Sequence, residues 1–155
     1  MGTRCLTGLA AFSLLLGAMA GPARADVSGM AQVVDGDTLI VAGTRVRLWG
    51  ADAPPFDFQC RKGERTYACG KDATRFLRDV IGNRGVRCED KGTTAEGDMI
   101  GRCHTGFGDL AWLLVESGNA FATDRLYRDA EASARAESKG LWAGDFADPS
   151  QWQDL

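Results

Sequence analysis

The 155-residue sequence holds one histidine, His104, and no Cys-x-x-Cys pair, so it lacks the usual ligand set of a zinc site. Positive charge is not in excess either. Eighteen Lys and Arg stand against 21 Asp and Glu, a formal net charge of −3. Any contact with nucleic acid must therefore come from a local basic patch and not from the overall field. Past residue 25 no segment stays apolar for the roughly 20 residues that a spanning helix needs. Internal repeats and low-complexity tracts are absent. With 45% hydrophobic and 25% charged residues, the composition excludes collagen-like, coiled-coil and disordered chains. The length fits one domain around one core.

The first 25 residues read as a signal peptide. Met1–Arg4 is positively charged and Cys5–Ala20 is almost wholly apolar. Ala23-Arg24-Ala25 then sets small residues at the two positions a signal peptidase reads. A retained anchor is the alternative, although the apolar run is short for one. Residues 26–155 form the expected mature domain, exported to the periplasm or secreted, monomeric, and free of the membrane after cleavage. Loss of Arg4 and Arg24 with the leader moves the net charge from −3 to −5 over the remaining 130 residues.

Cysteine usage agrees with export. Cys5 leaves with the leader, and Cys60, Cys69, Cys88 and Cys103 remain as an even set. Of the three pairings, Cys60–Cys69 closes a short loop, and Cys88–Cys103 joins two segments that read as partner strands. Free buried thiols are the alternative.

Short β-branched segments open the mature chain: Ala31–Val34, Thr38–Val41 and Arg45–Trp49, the last two joined tightly through Ala42-Gly43-Thr44. Period-two alternation sends Val46 and Leu48 to one face and Arg47 to the other. After Pro54-Pro55 a loop is expected to about Tyr67. A helix follows over Lys71–Ile81, with Ala73, Phe76, Leu77, Val80 and Ile81 at helical spacing. Val86–Asp90 and Ile100–Thr105 read as strands joined by polar Lys91–Asp98. A second helix starts near Asp109, turns Leu110, Leu113 and Leu114 inward and stops at Gly118. The third spans about Asp129–Lys139, with a thin apolar stripe and Gly140 as its cap. Five strands and three helices point to a small barrel with helices around it, an α+β fold.

Two acidic clusters carry candidate chemistry. Asp35-Gly36-Asp37-Thr38 aims two carboxylates the same way on an extended backbone. In Asp52-Ala53-Pro54 the proline restricts the direction of the Ala53 carbonyl. Two carboxylates and a carbonyl are a hard-oxygen set suited to calcium, though Asp-Gly is also an ordinary turn former. Arg47 and Arg102 can each donate paired hydrogen bonds to phosphate oxygens, or can simply be solvated strand residues. Arg61, Lys62 and Arg65 are candidates for a local positive patch. Trp112 and Trp142 read as packing anchors, and Trp49 as a cover for the barrel end, with stacking on a base as the alternative.

Several separated pieces together resemble the staphylococcal nuclease (thermonuclease) family. They are Val34-Asp35-Gly36-Asp37-Thr38, Arg47-Leu48-Trp49-Gly50-Ala51-Asp52-Ala53-Pro54, Asp98-Met99-Ile100-Gly101-Arg102 and Gly140-Leu141-Trp142-Ala143-Gly144. Gln59-Cys60, Tyr67, Cys69-Gly70 and Cys88 resemble its exported, disulfide-bearing branch. The resemblance implies a five-stranded OB-fold barrel with three helices. It implies Ca2+ held by Asp37, Asp52 and the Ala53 carbonyl, with Asp35 nearby and Arg47 and Arg102 gripping the scissile phosphate of DNA or RNA. Active members place a glutamate directly after the Asp-x-Pro turn, where this chain has Pro55. Proline has no proton-accepting side chain, so phosphodiester hydrolysis is expected to be weakened or lost. Asp57 and Glu64 are candidate substitute bases. The alternative is a non-catalytic module that binds nucleic acid or another exported ligand in the same groove. A disulfide-stapled structural domain would leave Asp37, Asp52, Arg47 and Arg102 unexplained.

Overall fold

The computed structural model describes residues 25–145 and 149–152. The expected signal peptide, apart from its last residue Ala25, lies outside the described residues. Five strands build a barrel: β1 (Val27–Val33), β2 (Thr38–Val41), β3 (Thr44–Leu48), β4 (Gly85–Thr93) and β5 (Met99–Thr105). Neighbours run β3-β2-β1-β4-β5, and β3 pairs with β5 to shut the ring. That closing pair is parallel, with Val46 opposite Met99, Arg47 opposite Ile100 and Leu48 opposite Gly101. The other barrel pairs are antiparallel. Closure matters to the site because it sets residues about 50 positions apart side by side.

Alternation behaves as the pattern requires. Val46 and Leu48 are buried, while the Arg47 side chain is 50% exposed. Ala42 and Gly43 both have positive φ, 49° and 81°, which suits the right-handed twist of the β2–β3 hairpin they connect. Leu39, Val41, Val46, Val86 and Leu77 fill the core with no exposed surface beyond 1%.

Three helices, α1 (Cys69–Ile81), α2 (Leu110–Glu116) and α3 (Arg128–Ala136), surround the barrel. α1 buries Ala73, Thr74, Leu77 and Ile81 on one face, and Gly82 with φ 53° ends it. α2 is capped by Asp109, whose carboxylate accepts from the amides of Ala111 and Trp112. Both disulfides pair as expected, Cys60–Cys69 and Cys88–Cys103. Cys88 lies directly opposite Cys103 in the β4–β5 ladder.

Several boundaries differ. β1 starts at Val27, because Val27–Met30 find partners in Gly85–Cys88 that no local pattern reveals. The stretch expected as a loop to Tyr67 contains a ribbon, Cys60–Lys62 paired with Arg65–Tyr67. In α2 the inward face is Leu110, Ala111, Leu114 and Val115, and Leu113 is only half-buried. α3 ends at Ala136, and Gly140 instead opens a 3-10 turn, Gly140–Ala143. Trp112 is 44% exposed, off the buried face of α2 made by Leu110, Ala111, Leu114 and Val115, so it is not the buried anchor expected. Trp142 does pack, edge-on to Phe121 with Arg135 over its ring. Trp152 is buried against Phe58 and Phe121, an anchor the sequence pattern did not single out.

Candidate active site

The β1–β2 connection and the segment after β3 meet because Gly36 has no side chain. A Cβ there would lie 2.7 Å from the Ala53 Cβ and 2.9 Å from the Ala73 Cβ. Asp35 accepts from the Asp37 amide at 3.1 Å, tightening the turn. Asp37 in turn accepts from the Thr38 hydroxyl at 2.9 Å and from the Ala53 N–H at 3.1 Å. Two loops 16 residues apart are thus tied through one carboxylate.

Arg47 projects from β3 onto this pair. Its Nη2 lies 3.1 Å from Asp52 Oδ1 and 3.6 Å from Asp37 Oδ2, with both carboxylates about 4% exposed as residues. Burial pushes the Asp37 carboxyl up to about 7; Arg47 pulls against that rise and Asp35 adds to it. The Asp37 and Asp52 carboxylates reinforce the charge on Arg47.

Arg47 separates two clefts. One, of about 280 Å³, is lined by Asp35, Asp37, Pro55, Thr94, Glu96 and Asp98, among others. The other, of about 310 Å³, has Trp49, Ile100, Thr123 and Asp124 in its wall. Trp49 meets Tyr127 edge-on at 5.7 Å, so it covers the barrel end while bordering the second cleft.

Arg102 occupies the same barrel face as Arg47. Arg47 stands opposite Ile100, and Arg102 follows two residues later on β5, so alternation directs both outward on one side. Its side chain turns to Asp109, with Nε 2.8 Å from Oδ2, and that hydrogen bond raises the guanidinium's affinity for its proton. Asp57 is 88% exposed and 3.9 Å from Lys71, while Glu64 is exposed at the tip of the Cys60–Tyr67 ribbon. Arg61, Lys62 and Arg65 are exposed on that ribbon. None of these five residues lines either cleft.

Among the described residues no three His, Cys, Asp or Glu side chains gather in a metal-binding cluster. The donor chemistry of Asp37 and Asp52 nevertheless fits a hard cation. Both offer buried carboxylate oxygens, the hard donors such a cation takes. Sequence reading missed the contribution of Thr94, Glu96 and Trp152 to the acidic cleft. For the first two, the available signal was the polar Thr-Thr-Ala-Glu-Gly-Asp run between two strands.

Comparison with known proteins agrees with this architecture. The family described as staphylococcal nuclease homologue matches residues 45–144. The succinoglycan biosynthesis protein ExoI of Rhizobium meliloti is 37% identical over 124 residues, covering 75% of this chain and 64% of that protein. An uncharacterized endonuclease of Haemophilus influenzae is 29% identical over 133 residues, covering 79% of this chain and 70% of its own length. The chain thus spans a little under two thirds of the first relative. With a closed five-stranded mixed barrel, three helices and a match over most of the described residues, the chain belongs to the staphylococcal nuclease homologue family.

Proposed function

We propose that this nuclease-like chain hydrolyses phosphodiester bonds of DNA or RNA in a calcium-dependent way, after export and removal of residues 1–25. The observation that carries the reading is Arg47, whose Nη2 bridges buried Asp37 and Asp52 at the edge of an open cleft. A guanidinium that never loses its charge can hold a phosphate oxygen and offset the charge that builds as phosphorus becomes five-coordinate. Arg102, on the same face, is the second candidate for that work once it releases or shares Asp109.

Asp37 and Asp52, with the Ala53 carbonyl, would hold the calcium ion. When bound, that ion supplies Lewis-acid charge beside the phosphate. The cleft beyond Arg47, with Trp49 and Ile100 in its wall, offers an apolar surface for a base or sugar.

Cleavage of single-stranded DNA by the mature protein, with calcium and with a chelator, tests the reading. Wild type is expected to cut slowly, only with calcium, and Pro55→Glu faster. If neither protein cuts or binds calcium, the nuclease reading fails. Retained DNA binding with no cutting by either favours the non-catalytic module.

A further inference from the structure

The cleft holds a carboxylate for which the family resemblance assigns no role. Thr94–Asp98 connects β4 to β5, and its backbone is tightly cross-bonded. The Thr94 amide donates to the Asp98 carbonyl at 2.9 Å, and the Gly97 amide donates to the Thr94 carbonyl at 3.1 Å. The Asp98 amide donates to the Thr94 hydroxyl at 3.2 Å. Gly97, with φ 96°, takes the left-handed corner. Arg45 pins the exit of the turn through Asp98 at 2.9 Å. Glu96 sits at the apex of this braced turn, exposed, in the wall of the cleft that also contains Asp35, Asp37, Arg47 and Pro55.

We propose that Glu96 supplies the water-activating carboxylate that position 55 lacks, reaching the attacking water from the opposite wall of the cleft. The inference rests on the nuclease reading above. The other acids of the cleft are tied to groups outside their own turn or to the turn at Asp37: Asp98 to Arg45, Asp35 to the Asp37 amide, and Asp37 to Thr38, Ala53 and Arg47. Glu96 instead accepts within its own exposed turn, from its own amide and the Thr94 hydroxyl. Pro55 offers neither an acceptor side chain nor an N–H. In the reaction the water oxygen bonds to phosphorus while the ester P–O bond on the far side breaks. The Glu96 carboxylate takes the water's proton, the departing alkoxide takes one from solvent, and Glu96 then returns its own to solvent.

Hydrogen bonds from its own amide and from the Thr94 hydroxyl, with the Arg47 charge nearby, hold the Glu96 carboxyl below the usual range. It is therefore ionised and ready, but a weaker base than an ordinary glutamate. The expected contribution sits at the lower end for general bases, about 100-fold in rate.

The test compares calcium-dependent cleavage of a single-stranded DNA oligonucleotide by wild type, Glu96→Gln, Asp57→Asn, Glu64→Gln, Pro55→Glu and the Pro55→Glu/Glu96→Gln double variant. Binding of the same oligonucleotide without divalent cation is measured by anisotropy. Glu96→Gln is expected to cut about 100-fold more slowly with unchanged binding, and the double variant to cut as Pro55→Glu does. Equal cutting by wild type and Glu96→Gln overturns the proposal and leaves the nuclease reading standing. So does loss of cutting on Asp57→Asn or Glu64→Gln instead. If wild type is inert while Pro55→Glu cuts, the scaffold is competent and Glu96 is not the base. If no variant cuts, the nuclease reading itself falls.

Discussion

Arg102 and Asp109 are joined by a 2.8 Å hydrogen bond, and the same Asp109 oxygen accepts from the Tyr127 hydroxyl at 2.7 Å. The other oxygen caps α2 through the Ala111 and Trp112 amides. One carboxylate therefore fixes a helix start, orients a buried tyrosine and restrains an arginine that faces the same way as Arg47.

These roles separate by substitution. Asp109→Asn keeps a good cap, and Asp109→Ala does not, so Ala should unfold more easily than Asn by about 1 kcal/mol. Both free Arg102 from its charged partner. Denaturant melts read the cap together with the acceptor for the Tyr127 hydroxyl, and the KM for single-stranded DNA reads the arginine. Equal stability of the two variants would show that the cap carries little of the role.

Gly36→Ala should disturb the site directly. Its Cβ would press on Ala53 and Ala73, so the Asp35–Asp37 turn must move away from Asp52 and Ala53. A cost of roughly 1–3 kcal/mol is expected from such overpacking. Calcium binding should fall further than the loss of stability accounts for, as isothermal titration of the folded variant would show.

The buried Asp37 makes the metal-free protein pH-sensitive. Its folded value, about 7, lies above the ordinary 3.8, so the folded state holds its proton more tightly than the unfolded chain. That contribution to stability is complete below about pH 4 and is lost as pH rises through about 7. Asp37→Asn should therefore stabilise the calcium-free protein at pH 8, by on the order of 2–4 kcal/mol, and do little at pH 4. Calcium should raise the Tm of wild type more at pH 8 than at pH 5, because protons compete for the same oxygens. Melts at three pH values, with and without calcium, check both statements.

The two disulfides should differ in what they protect. Each closes a short loop, 9 and 15 residues in sequence separation, and each should contribute about 3 kcal/mol. Cys88 and Cys103 sit on strands already paired along the barrel. Cys60–Cys69 instead ties the outer ribbon to the first residue of α1, next to the segment carrying Pro55. Replacing Cys60 and Cys69 by Ala should increase proteolysis between residues 53 and 69. Replacing Cys88 and Cys103 should lower global stability without a new local cut site.

Much of this architecture is legible residue by residue. Alternation in Arg45–Trp49 separates the core pair Val46 and Leu48 from Arg47, and helical spacing places Ala73, Leu77 and Ile81 on one face of α1. Asp-Gly-Asp-Thr and Asp-Ala-Pro mark the acidic turns, and the two disulfide pairs follow from loop length and strand partnership. These features depend on neighbours a few positions away, and such geometry repeats wherever the same residue types recur. The Cys60–Tyr67 ribbon and the early start of β1 were not legible, since each needs a partner whose position the local pattern does not show.

The composition of the cleft was a tertiary decision. The parallel β3–β5 pair brings Arg45 within 2.9 Å of Asp98, 53 residues onward, and with it sets the Thr94–Asp98 turn in the wall of the cleft that Asp37 and Pro55 also line. In the sequence, Glu96 is one acid in a polar linker, and Arg102 is one strand residue with no stated partner. Barrel closure makes the first a wall of the site and hands the second to Asp109, because long-range pairing selects which side chains share one small volume of water.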